Sequence, residues 1–129
     1  MKIKVLLGLI VFLLLFTANC FESRDFGLIG RWKFVLIFDK EQKELDLPKR
    51  KTIYLSFRKD GKVYHMSRKY GRWTAKYTGK IKIVGEDKDI MKRFIYHGFF
   101  KDPNNCDGEL KHMYYDIVIG TWKATRERD

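Results

Sequence analysis

Two thiols, three imidazoles and one stretch dense in oxygen side chains are the residues of this 129-residue chain whose types suit chemistry. Cys20 follows directly on an apolar run, and Cys106 lies within Asp102-Pro103-Asn104-Asn105-Cys106-Asp107-Gly108. His65, His97 and His112 fall on separate strand-like segments. His65 and His97 could face one another across a barrel, but no third ligand stands at a zinc-site spacing, so polar or surface histidines are the better reading. The alternation Asp102-x-Asn104-x-Cys106 is set out like a calcium loop and fails as one. Sulfur replaces an oxygen ligand, the glycine comes one place late, and no closing glutamate follows. A turn-rich loop is expected there, with Cys106 exposed and, lacking a neighbouring histidine base, not a nucleophile. The sequence has no phosphate-cradling glycine loop, serine elbow or metalloprotease helix, and no acid pair set apart for proton transfer. The expectation is a non-enzymatic protein with no catalytic residues, no cofactor and no metal.

The position of Cys20 points to another use of its thiol. Val5 to Phe16 is an unbroken apolar or glycine run preceded by Lys2 and Lys4 and followed by Thr17-Ala18-Asn19. A charged start, a short apolar stretch and a small-residue exit describe a secretory signal peptide. A bilayer span needs about 20 apolar residues. This run reaches that length only by absorbing Thr17, Asn19 and Cys20, so an uncleaved anchor is the weaker alternative. Phe16-Thr17-Ala18-Asn19-Cys20 resembles the lipobox of bacterial lipoproteins in the relaxed form of spirochaetes. That resemblance implies cleavage before Cys20, conversion of its thiol to a diacylglyceryl thioether and acylation of the new amino end. Several acyl chains hold a protein firmly to a membrane, since each buried methylene contributes about 0.8 kcal/mol. The implied organisation is a lipoprotein signal peptide over 1–19, a lipidated tether over 20–25 and one domain over 26–129. The implied location is the bacterial cell envelope, on the outer or inner membrane. With lipid on Cys20, Cys106 has no partner in the chain. The competing reading is an exported, non-lipidated protein with a Cys20–Cys106 disulfide.

The elements that must carry these residues are strands. Hydrophobic content is 45% and aromatic content 16%, enough for a packed core in one domain. In Ile29–Phe38, Trp32, Phe34, Leu36 and Phe38 share one face and Arg31 and Lys33 the other. Alternation recurs over 52–58, 70–77 and 80–84, strands are also expected over 62–67 and 89–99, and 110–119 with 121–126 form one bent strand or two short ones. Lys59-Asp60-Gly61-Lys62 is a hairpin signal. A helix is conceivable only over Lys40–Leu45. About seven or eight short strands predict an all-β fold, an antiparallel up-and-down barrel or half-barrel. Trp32, Phe57, Trp73, Ile81 and Ile83 are its expected core, with Trp122 plugging one end.

Leu28-Ile29-Gly30-Arg31-Trp32-Lys33 is similar to the opening of bacterial lipocalin-like domains. Ser56 to Val63 resembles their hairpin, and Gly71-Arg72-Trp73 with Lys80-Ile81-Lys82-Ile83 resembles a further strand pair. The META-like domains of bacterial lipoproteins are a close alternative. The resemblance implies a barrel whose interior takes a small apolar ligand or an envelope component, with Trp32, Phe57, Trp73 and Tyr77 as the residues to contact it.

Charge supplies a second functional reading. The chain carries a formal +11, and residues 61–99 hold ten bases against three acids. Arg68, Lys69, Arg72, Lys76, Lys80 and Lys82 alternate with rings and isoleucines, which predicts a basic outer face, and Lys49, Arg50 and Lys51 add a cluster at a strand start. On a membrane-tethered protein such a face suits anionic lipid, acidic glycans or acidic proteins, as in an adhesin or envelope-contact protein. Nucleic acid is not expected as a partner of an exported protein. The plainer use of such lysines is to keep strand edges from pairing with other chains.

Overall fold

The computed structural model describes residues 27–39, 45 and 47–128. Eight antiparallel strands close into a barrel in chain order, all-β and up-and-down, consistent with a lipocalin-like barrel. They are β1 Gly30–Phe38, β2 Arg50–Phe57, β3 Lys62–His65, β4 Arg68–Ala75, β5 Lys80–Gly85, β6 Phe94–Asp102, β7 Asn105–His112 and β8 Ile117–Arg126. Closure is made by β1 against β8, from Trp32 opposite Arg126 to Phe38 opposite Gly120. It removes the two edges that an open sheet would expose.

Period-2 alternation puts one row of each strand inside. Trp32, Phe34, Leu36 and Phe38 of β1 are buried, as are Ile53, Leu55 and Phe57 of β2 and Ile81 and Ile83 of β5. Phe34 stacks on Phe57 with centroids 5.9 Å apart and on Trp122 at 5.3 Å, while Tyr96 meets it edge-on at 5.8 Å. An eight-stranded barrel has an interior that side chains of this size fill. The walls bend inward where glycine allows it. Gly98 and Gly108 face one another across β6 and β7. A Cβ on Gly108 would lie 1.8 Å from the His97 carbonyl oxygen, and one on Gly98 would lie 2.6 Å from the Trp122 ring.

The barrel has two unlike ends. One, here the tail, gathers residues 27–29, the hairpins β2–β3, β4–β5 and β6–β7, and the end of β8. The other, the mouth, gathers the β1–β2 connection, the β3–β4 hairpin, the β5–β6 connection and the β7–β8 turn. Two tail hairpins repeat one geometry. Gly61 donates to the Arg58 carbonyl at 3.1 Å and Gly79 to the Lys76 carbonyl at 2.8 Å. Both glycines take positive φ, +84° and +89°. This is a tight turn closed by a left-handed glycine, as the Lys-Asp-Gly-Lys signal predicts.

Several expectations need correction. Residues 89–99 are not one strand, since Asp89 caps a 3-10 turn over Ile90–Lys92 and β6 begins only at Phe94. Residues 102–108 are not one loop, because β6 runs to Asp102 and β7 starts at Asn105. Cys106 is therefore not exposed but buried on the inner face of β7. Gly108 serves close strand approach rather than a turn. Trp122 does not plug an end. It sits mid-barrel between Phe34 and Tyr96. The helix considered over Lys40–Leu45 and the modification considered at Cys20 fall on residues outside those described, Leu45 excepted.

Candidate functional site

The residues expected to contact a ligand, Trp32, Phe57, Trp73 and Tyr77, all lie at the tail. Trp32 is 0% exposed and donates from Nε1 to the Leu28 carbonyl at 2.9 Å. Trp73 donates from Nε1 to the Arg58 carbonyl at 2.9 Å. Phe57 packs between Phe34 and Trp73. Tyr77 stands apart from these three, exposed in the β4–β5 hairpin. Arg126 closes this end. Its guanidinium lies 4.5 Å from the centre of the Trp32 ring and donates to the carbonyls of Ile29, at 2.9 Å, of Gly27, and of Pro103. Nearby, burial pushes the Cys106 thiol up to about 12, with the Asp107 carboxylate adding to the effect. Such a thiol is inert.

The nine bases expected on one face separate into three places. Arg72, Lys80 and Lys82 project outward from β4 and β5, beside Lys62 of β3. Arg68 and Lys69 sit at the mouth, as do Lys49, Arg50 and Lys51 at the start of β2. Lys76 is at the tail. Two of the nine are engaged by Glu86, at 2.9 Å from Arg72 and 3.8 Å from Lys69. Lys82 neighbours Thr74 on one side and His97 on the other. The His97 ring registers the field of this wall. Its pKa is held below the usual imidazole range first by burial, then by Lys82, Lys111 and Lys80, against a weaker pull from Glu109. A groove of about 370 Å³ runs over the wall, lined by Asp60, Gly61, Arg72, Trp73, Thr74, Lys82 and Val84.

The histidines occupy three unlike settings. His97 is outside, and His65 meets Tyr70 edge-on at 6.3 Å near the mouth. His112 is fully buried. Its Nδ1 accepts from the Tyr115 amide at 3.2 Å, which leaves Nε2 as the donor to the Met91 carbonyl at 3.0 Å. Among the described residues, no three His, Cys, Asp or Glu side chains converge as metal ligands would.

Sequence reasoning missed the mouth. Between the β3–β4 hairpin and the β5–β6 connection lies a cleft of about 1050 Å³, lined by residues 65–70 and 86–89. Tyr70 stands at its inner wall, and its hydroxyl is 2.6 Å from that of the fully buried Tyr96. Burial pushes Tyr70 up to about 12 and raises Tyr96 well above the usual phenol range. Both phenols therefore keep their protons at neutral pH. The signal that could have found this pair was the inward parity of Tyr96, which places a phenol inside an apolar barrel where it needs a partner. No protein-family model matches the chain, and the curated proteins contain no match to it.

Proposed function

We propose that the protein is a lipid-anchored, non-enzymatic envelope protein that contacts acidic partners, glycan or protein, through its basic outer wall. The single observation that carries this reading is the filled interior. Phe34, Phe57, Trp122 and Tyr96 occupy the cross-section in mutual ring contact. A small apolar ligand would have to displace rings whose polar atoms, in Trp32 and Trp73, are already bonded to backbone carbonyls. Recognition then falls to the surface, where Arg72 and Lys82 line a groove and Lys80 stands two residues along the same strand as Lys82. The anchor is Cys20, and Cys106, the other cysteine, is buried on the inner face of β7. The described chain starts at the tail, with Gly27 against Arg126. Residues 20–26 span at most about 25 Å. The anchored barrel thus presents its tail to the membrane and its mouth away from it.

Two measurements test this. The intact mass of the protein from its native membrane should equal the chain from Cys20 plus its acyl groups. A mass without acyl groups rejects the anchor. Binding to an immobilised sulfated polysaccharide should fall on the order of tenfold or more from low to high salt. The double change Lys80→Glu and Lys82→Glu should abolish it. Binding that ignores both salt and the charge reversal rejects the basic wall.

A further inference from the structure

One corner of the tail turns two aromatic rings outward. Tyr77, in the β4–β5 hairpin, is 58% exposed, and Phe99, on the outer row of β6, is 56% exposed. The ladder brings them to the same corner. Lys80 stands opposite Phe99, and the Phe100 amide donates to the Gly79 carbonyl at 3.1 Å. Beside them opens a groove of about 310 Å³, lined by Gly27, Lys76, Gly79 and residues 100–103. Phe100 in that lining backs onto the buried Trp32, with ring centroids 6.0 Å apart, so the groove rests on the packed core.

The charge around this corner is positive. Residues 58–62, 76–80 and 99–103, the three tail hairpins with their flanks, hold six bases against two acids. Both acids are spent within their own turns. Asp60 accepts from the Lys62 amide at 3.0 Å, and Asp102 accepts from the Asn104 amide at 2.8 Å and from the Asn105 side chain. Lys76 is exposed and lines the groove, where a lysine stem covers apolar surface while its ammonium stays in water. Exposed rings among lysines suit the boundary of a bilayer, where a tyrosine has an apolar side and a wet side and ammonium groups meet lipid phosphates. What selects a bilayer over other occupants is where the chain arrives. Gly27, the first described residue, is part of the groove wall, so the preceding segment joins the barrel at this corner. On the anchored reading, residues 20–26 hold a bilayer within about 25 Å of it. A surface tethered that close is engaged by contacts too weak to capture a partner from solution.

We propose that the Tyr77–Phe99 corner rests on the membrane to which the chain is anchored, with its rings at the headgroup level and its lysines against anionic phospholipid. This rests on the anchored reading and goes beyond it in naming the side chains that touch lipid. The test places the protein, with its own anchor, in nanodiscs of phosphatidylcholine, alone or mixed with phosphatidylglycerol, and adds a lipid spin-labelled at its headgroup. Amides of residues 76–80 and 99–103 should broaden, more in the mixed discs, while those of 66–67 and 114–118 stay sharp. Tyr77→Ser with Phe99→Ser, both at exposed positions, should cut the broadening at Gly79 and Lys101 roughly threefold or more, and Met66→Ser should leave it unchanged. Broadening confined to residues 27–29 keeps the anchor and overturns the contact. Broadening at the mouth, equal broadening in the two lipid compositions, or a groove filled by residues 21–26 with no lipid effect at 76–80 also overturns it. A protein that does not enter the discs overturns the anchor itself, and the contact with it.

Discussion

The two ends of the barrel are built from the same eight strands by opposite means. At the tail, backbone carbonyls are met by strong donors, the Trp32 and Trp73 indoles and the Arg126 guanidinium, and two hairpins turn on glycines suited to positive φ. At the mouth, the β3–β4 hairpin turns on Met66 and Ser67 at φ of 57° and 95°, a region that costs side chains energy, and Met66 is 81% exposed. Ile90, Tyr114, Tyr115, Ile117 and Val118 are also exposed, on the β5–β6 connection, the β7–β8 turn and the start of β8. The difference teaches where stability and recognition are divided. The tail satisfies its own polar groups and leaves little for a soluble partner to bind. The mouth retains strain and exposed apolar surface, features that collect where partners bind.

Stability measurements by urea denaturation can break this division. Trp32→Ala should be the most costly change, about 3–5 kcal/mol, because it empties the tail and removes the surface under Arg126. Arg126→Ala should cost about 2–4 kcal/mol, and Arg126→Lys should recover less than half, since an ammonium cannot fork across three carbonyls. At the mouth the sign should reverse. Met66→Asn with Ser67→Gly fits the left-handed turn and should stabilise the barrel by about 1 kcal/mol. A neutral tail and a mouth that loses stability on that exchange would show that the ends do not differ as described.

Much of the barrel was legible because its signals are local. A period of two along Trp32-Phe34-Leu36-Phe38 and Ile53-Leu55-Phe57 fixes which row faces inward whatever the neighbouring strand. The Lys-Asp-Gly-Lys hairpin depends on one glycine. Residues 102–108 were misread for a physical reason. Their composition is that of a turn, but Gly108 is a glycine because β6 passes too close for a side chain. The basic residues were legible as types and not as a patch. Their distribution over wall, mouth and tail depends on where each hairpin lies on the closed barrel.

The amino-acid order alone determined strand character, the inward row of rings, the surplus of positive charge and the apolar run over Val5–Phe16 ahead of Cys20. Only the folded barrel decided that β1 meets β8, that Cys106 lies inside, and that Tyr70 and Tyr96, 26 positions apart, share one proton-bearing contact. Alternation is a property of neighbours along the chain. Pairing, closure and the meeting of two phenols depend on which strands the whole sheet brings together, and no stretch of sequence carries that by itself.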